Sequence, residues 1–165
     1  MIDVGKQMGP FTHCPELDDL AYRMFREFSR FEYALKARRY LLNPNGDAKA
    51  AWDRFAKDIH PAFEERLSND ADLGQAVDYL MNHPPKKQVA RQNELGWSDV
   101  RPEADTPTGV LLLCVRRVRN NLFHGGKFSR GWIDPHRSSR LITASLTVLN
   151  GCLELSDPIR EAYEH

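Results

Sequence analysis

The chain has 165 residues, of which 41% are hydrophobic and 28% are charged. This composition excludes an intrinsically disordered protein, and the length is sufficient for one domain that folds around its own core. Lysine plus arginine and aspartate plus glutamate both number 23, so the net charge of zero gives no general attraction to nucleic acid.

The start of the sequence contains no apolar signal-peptide region, and no apolar segment is long enough to cross a bilayer. Cys14, Cys114 and Cys152 lie far apart without a C-x-x-C pair, and two of them fall in apolar helical runs. Buried free thiols in a reducing compartment are therefore the better interpretation. We expect a cytoplasmic protein with no membrane association.

The first half of the chain is predicted to be mostly helical. Residues 1–14 form an irregular lead-in, and a long helix runs from Pro15 to the turn at 43–46, because apolar side chains recur at helical spacing. A second helix capped by Asp47 follows, in which Pro61 should cause a kink or a break. A third helix covers about Asp70 to Asn82, and residues 86–105 form either a small hairpin or an ordered loop.

The second half contains two further helices. One begins at the cap formed by Thr106 and Pro107 and stops at Gly125 and Gly126, and the other covers about 138–155. These elements predict an all-α fold, an up-and-down bundle of four main helices plus short helices and a small loop or hairpin insertion, spanning 15–155 with a C-terminal tail at 156–165. The side chains predicted to be buried are Phe28, Leu35, Phe55, Val115, Leu122 and Leu149.

Basic residues are concentrated late in the chain. Residues 106–153 contain seven lysines or arginines and one acid, an excess of six positive charges. Such a region either forms a surface patch for a phosphate-bearing partner or is a solvated basic face spread over two helices. The candidate substrate-binding residues in this region are Arg116, Arg117, Lys127 and Arg130.

Two charged residues fall on apolar helix faces. On a helical wheel Arg119 lies within the arc of apolar side chains that follows Thr106, and Glu32 lies on the apolar stripe of the first helix. Because a buried unpaired charge is expensive, we predict that Glu32 and Arg119 face one another across the bundle or across a dimer seam. Alternatively, Arg119 sits at the edge of the arc and reaches water.

His124 follows Asn120 by one helical turn, so Asn120 could orient its imidazole. Together with Arg119 and the following Gly125-Gly126-Lys127, these residues resemble the R-N-x-x-x-H signature of the HEPN family, and the similarity covers 15–155. The resemblance implies RNA cleavage without metal or cofactor by attack of a ribose 2′-hydroxyl on the adjacent phosphate. It implies that His124 acts as general acid or base, Arg119 holds the phosphate and Asn120 orients the histidine or the phosphate.

The resemblance also implies a homodimer, because each motif supplies one histidine whereas the reaction uses a proton donor and an acceptor. It suggests a toxin or antiviral effector whose antitoxin or defence partner the sequence does not name. The position at which some family toxins carry a modified tyrosine is Gly126 here, which disfavours silencing by that route. The alternatives are a non-catalytic HEPN-like module that binds nucleotide or protein, and a purely structural dimerisation domain.

Overall fold

The computed structural model describes residues 14–125 and 134–165. Within them lie six helices and one hairpin, so the predicted all-α bundle with a small insertion is confirmed. The elements are α1 (Pro15–Ala37), α2 (Trp52–Leu67), α3 (Ala71–Asn82), β1 (Lys87–Arg91), β2 (Glu94–Ser98), α4 (Pro107–Phe123), α5 (Pro135–Leu153) and α6 (Asp157–Glu164).

Helix α5 lies at the centre of the bundle, packed against α1, α3 and α4, while α2 packs mainly on α4. All six side chains predicted to be buried are buried. A cluster of aromatic rings joins α1 to the start of α2, where the ring of Trp52 stacks on Phe28 at 5.2 Å and on Phe31 at 5.5 Å between ring centres. This aromatic packing fixes the face of α1 that later contacts the end of α4.

Two helix boundaries differ from the predictions. Helix α1 ends at Ala37 rather than near residue 43, because Arg39 adopts a left-handed conformation with φ of 66° and the amide of Tyr40 returns to the carbonyl of Leu35 at 2.9 Å. Helix α2 begins at Trp52 rather than after Asp47. Pro61 does not break α2, whose buried residues on both sides of the proline hold the helix in the core.

Two further helix starts follow a capping side chain, and that of α5 is a third difference from the predictions. Asp70 accepts a hydrogen bond from the amide of Leu73 at 3.0 Å and begins α3 as predicted. Asp134 accepts from the amide of Arg137 at 2.9 Å, so α5 begins a few residues before the predicted Ser138. A side chain that accepts from the first helical amides fixes such a start.

Residues 86–105 contain the hairpin rather than an ordered loop. β1 and β2 pair antiparallel, with Arg91 opposite Glu94, and the two turn residues Gln92 and Asn93 have φ of 52° and 65°. Positive φ at both turn residues matches the right-handed twist of the two strands. Leu41 and Ala50 form an isolated bridge outside the hairpin.

The predicted C-terminal tail is a helix. Ile159 of α6 is buried, and the helix packs on α1. Two arginines reach the α6 backbone. Arg30 of α1 donates through Nε to the carbonyl of Tyr163 at 2.9 Å, and Arg38, directly after α1, donates through Nε to that of Pro158 at 2.8 Å. The domain therefore extends beyond the predicted limit at residue 155.

The three cysteines are free. Cys114 and Cys152 are buried as predicted, whereas Cys14 is partly exposed. Burial raises the pKa of the Cys114 thiol to about 11 and raises the pKa of Cys152 still further. None of the helices described is both long and apolar enough to cross a membrane.

Candidate functional site

The predicted motif occupies the C-terminal end of α4. The helix begins where Thr106 Oγ1 accepts from the amide of Gly109 at 3.0 Å, and it ends after Phe123. His124 is the C-cap, with its amide bonded to the carbonyl of Asn120 at 2.9 Å, and Gly125 follows with φ of 75°. A glycine in this left-handed conformation ends a helix at low cost. The motif is therefore presented on the last helical turn.

Arg119 is held between aromatic rings. Its Cζ lies 5.1 Å from the ring centre of Phe123 and 5.4 Å from that of Phe28, and its Nη1 donates to Asn120 Oδ1 at 3.0 Å. The side chain is half-buried. No carboxylate among the described residues forms an ion pair with it. The rings and the amide position the guanidinium while most of its donors stay available to an anion.

Glu32 does not pair with Arg119 within one chain, so the prediction of a contact across the bundle is wrong. Its carboxylate lies 3.7 Å from Nζ of Lys36, one turn further along α1, and its side chain is about one-third exposed. The aromatic rings beside Arg119 occupy the side on which a carboxylate was expected. A Glu32 contact across a dimer seam stays a prediction.

Asn120 and His124 are both exposed. Asn120 uses its side-chain oxygen for Arg119, and its link to His124 runs through the backbone alone. Within the described ranges the His124 imidazole has no hydrogen-bond partner. The structure therefore brings Arg119 and Asn120 together but leaves His124 without the orienting contact predicted from the sequence.

The basic residues of α4 do not form one patch. Arg117 Nη1 donates to the carbonyl of Val100 at 2.7 Å and so fastens the segment after the hairpin to α4. Arg116 lines a cavity of about 230 Å³ together with Asp53, Glu103 and Asp105. Lys57 pairs with Asp105 at 2.5 Å, but Asp53 and Glu103 remain in the cavity and disfavour a phosphate beside Arg116. Arg116 and Arg117 therefore contact other parts of the chain and do not form one surface with Arg119.

The remaining candidate substrate-binding residues, Lys127 and Arg130, lie outside the described residues. Asn121, which the sequence placed on the polar side of α4, is buried and donates through Nδ2 to the carbonyl of Lys86 at 2.8 Å. Arg137 at the start of α5 donates to the carbonyl of Pro84 at 3.2 Å. Residues 83–86 therefore hold both the end of α4 and the start of α5.

A row of exposed aromatic side chains adjoins the motif, and sequence reasoning missed it. Tyr22 is 64% exposed, Phe25 47%, Tyr33 62% and Phe123 45%. The ring of Phe25 lies 5.3 Å from that of Phe123. The signal present in the sequence was the recurrence of aromatic and arginine residues along the polar face of α1, whereas Phe123 was expected on the buried arc.

Among the described residues, no group of three or more histidine, cysteine, aspartate or glutamate side chains converges as metal ligands. Comparison of the chain with known protein families, with curated proteins and with solved structures gives no match.

Proposed function

We propose that the chain is a HEPN-type endoribonuclease that cleaves RNA without a metal ion. The observation that carries the proposal is the environment of the Arg119 guanidinium. Two aromatic rings and the Asn120 amide position it at an exposed helix end, and it has no carboxylate partner in the part of the chain described. Such a cation is suited to hold a phosphate. His124, exposed five residues further on, supplies a group for proton transfer.

The chemistry requires two proton transfers and one charge to be stabilised. A base removes the proton of the ribose 2′-hydroxyl, the 2′-oxygen forms a bond to phosphorus, and the bond to the 5′-oxygen breaks as an acid protonates that oxygen. Imidazole is the side chain that exchanges protons most readily near neutral pH, so His124 is assigned to this role. Arg119 stabilises the additional negative charge on the phosphoryl oxygens in the transition state.

A dimer is part of this proposal. On an ideal helix, five residues separate Arg119 and His124 by about 140° around the axis and about 7.5 Å along it, so the two side chains of one chain point apart. A two-fold arrangement of two α4 ends would place the arginine of one copy near the histidine of the other and would supply both acid and base. Mixing wild-type chains with an excess of His124→Ala chains tests this, because a shared site predicts that the mutant subunit lowers the activity of its wild-type partner.

The direct test is cleavage of a labelled RNA in excess chelator by the wild type, His124→Ala and Arg119→Ala. Both substitutions should lower the rate strongly while the circular dichroism spectrum stays helical. His60→Asn is the matched control. His60 Nδ1 lies 2.9 Å from Thr108 Oγ1, and Thr108 precedes His124 by sixteen residues, about 24 Å along α4. Equal cleavage by wild type and His124→Ala would reject the proposal.

One observation favours the second candidate function, a non-catalytic module that binds nucleotide or RNA. The imidazole of His124 has no orienting partner within residues 14–125 and 134–165, whereas a catalytic histidine is usually fixed by a second group. In that case Arg119→Ala would weaken RNA binding, and neither the wild type nor any variant would cleave RNA at any concentration.

A further inference from the structure

The exposed face of α1 carries a line of aromatic and polar side chains. Tyr22, Arg26, Ser29 and Tyr33 follow one another at spacings of four, three and four residues, so they lie on one line along the helix. Both tyrosines of this line are more than 60% exposed. Large exposed rings are unusual on a surface that contacts water alone.

This face forms one wall of a groove, and α6 forms the other. The groove has a volume of about 410 Å³, within the range of about 300–1,000 Å³ typical of small-ligand sites. Its side chains include two arginines, the histidine His165 and no acid. The principal lining residues are Phe25, Arg26, Ser29, Arg30, Tyr33 and Tyr163.

The arginines in the groove keep charge available for a ligand. Arg30 is fixed by its bond to the carbonyl of Tyr163 and lies 5.4 Å above the tyrosine ring, so it is positioned without a carboxylate. The nearby Glu27 is already paired with Arg23 at 2.6 Å. Burial raises the pKa of the Tyr163 hydroxyl, and Glu27 adds to this effect, while Arg30, Arg26 and Arg23 oppose it. Because Arg23 and Glu27 offset one another, Arg26 and Arg30 are the guanidinium groups that give the groove its positive charge.

The groove is continuous with the motif. Phe25 belongs to its lining, the ring of Phe25 contacts Phe123 at 5.3 Å, and the ring of Phe123 lies 5.1 Å from Cζ of Arg119. An RNA strand that occupies the groove can therefore extend along the contacting rings of Phe25 and Phe123 toward the guanidinium of Arg119.

We propose that the groove between α1 and α6 binds single-stranded RNA, with Tyr33 and Phe25 stacking on bases and Arg26 and Arg30 contacting phosphates. This inference rests on the proposed function and names the form of RNA that the site takes. The bases of a single strand can unstack and then stack on aromatic side chains, whereas the faces of the bases are buried in duplex RNA. A second copy of the chain is the less suitable occupant, since a two-fold seam over this face would bring like-charged arginines together.

The test is equilibrium binding of a fluorescein-labelled, 12-nucleotide single-stranded uridine RNA to the full chain carrying His124→Ala, which prevents turnover. On this background the variant Arg26→Ala with Tyr33→Ala removes one arginine and one exposed ring from the groove. The matched control, Arg91→Ala with Leu95→Ala, removes one arginine and one exposed apolar side chain from the hairpin.

The groove variant should raise the dissociation constant about 10-fold or more, as expected for loss of one stacked base, while the control stays within about twofold. The slope of log affinity against log salt concentration should decrease by about 0.7 for the lost phosphate contact. A 12-base-pair RNA duplex should compete poorly for the site.

Unchanged affinity of the groove variant would overturn the inference, as would failure of the His124→Ala chain to bind the labelled strand. A groove variant that becomes monomeric in size-exclusion chromatography but keeps its RNA affinity would also overturn it, because the face would then be a contact between copies. Binding in the groove by a protein that never cleaves RNA, with His124 intact, would instead sustain this inference and reject the proposed function.

Discussion

The two ends of α4 differ in how their polar residues are used. At the N-terminal end Thr108 is buried and hydrogen-bonded to His60, and Gly109 packs closely against Ala104 and Thr106. At the C-terminal end Arg119 is half-buried against rings and His124 is exposed. The buried Asn121 also fastens this end to residues 83–86, whereas Arg119 and His124 are polar groups at the surface that contribute little to stability. Substitutions at the two ends should therefore affect different properties.

The largest effect on activity is expected at the exposed end. His124→Ala should lower the rate of RNA cleavage by about 100-fold or more, the usual contribution of a general acid or base. Its free energy of unfolding should change by less than about 0.5 kcal/mol, because the side chain is exposed. Cleavage assays and urea denaturation measure the two quantities. A large loss of stability would show that the two ends are not functionally separate.

In the buried half of the helix, Leu112→Ala should reduce the free energy of unfolding by about 2–5 kcal/mol, since it opens a cavity in the core. The cleavage rate per folded molecule should stay unchanged. Leu113→Ala is the matched control, because Leu113 is only partly buried and should cost less. Equal losses for the two leucines would contradict the packing described for α4.

Gly109→Ala should destabilise the chain by about 1–3 kcal/mol through overpacking. A Cβ at this position would lie 3.0 Å from Cβ of Ala104 and 3.2 Å from Thr106 Oγ1, the atom that caps the helix. Gly74→Ala in α3 provides the opposite case, since a Cβ there meets nothing within 4 Å and should stabilise the helix by about 0.5–1 kcal/mol. In thermal unfolding, the melting temperature should fall for Gly109→Ala and rise for Gly74→Ala.

The smallest expected effect on stability concerns Thr106, which caps the N-terminal end of α4. Thr106→Ala removes the acceptor for the amide of Gly109 and should cost about 1 kcal/mol, whereas Thr106→Ser retains the hydroxyl and should cost less. Urea denaturation of the two variants measures the difference. If serine were as destabilising as alanine, the methyl group of Thr106 rather than its hydroxyl would be what fixes this end of α4.

The sequence predicted the helices wherever apolar spacing and a capping residue agreed, as at Asp70 and Thr106. It failed where tertiary contacts decide: α1 ends at the left-handed Arg39, and α6 forms because Ile159 is buried against the bundle. For the site, a helical wheel identified Arg119 as anomalous on an apolar face. It could not show that the compensating group is a pair of aromatic rings rather than Glu32, because that depends on how α1 is rotated against α4.

The segment at residues 83–86 has a consequence for how the molecule tolerates change. Lys86 accepts from Asn121 near the end of α4, and Pro84 accepts from Arg137 at the start of α5. The spacing of these two helix ends therefore depends on a third segment that contacts both. Loss of either contact should release one helix end while the other stays fastened to residues 83–86.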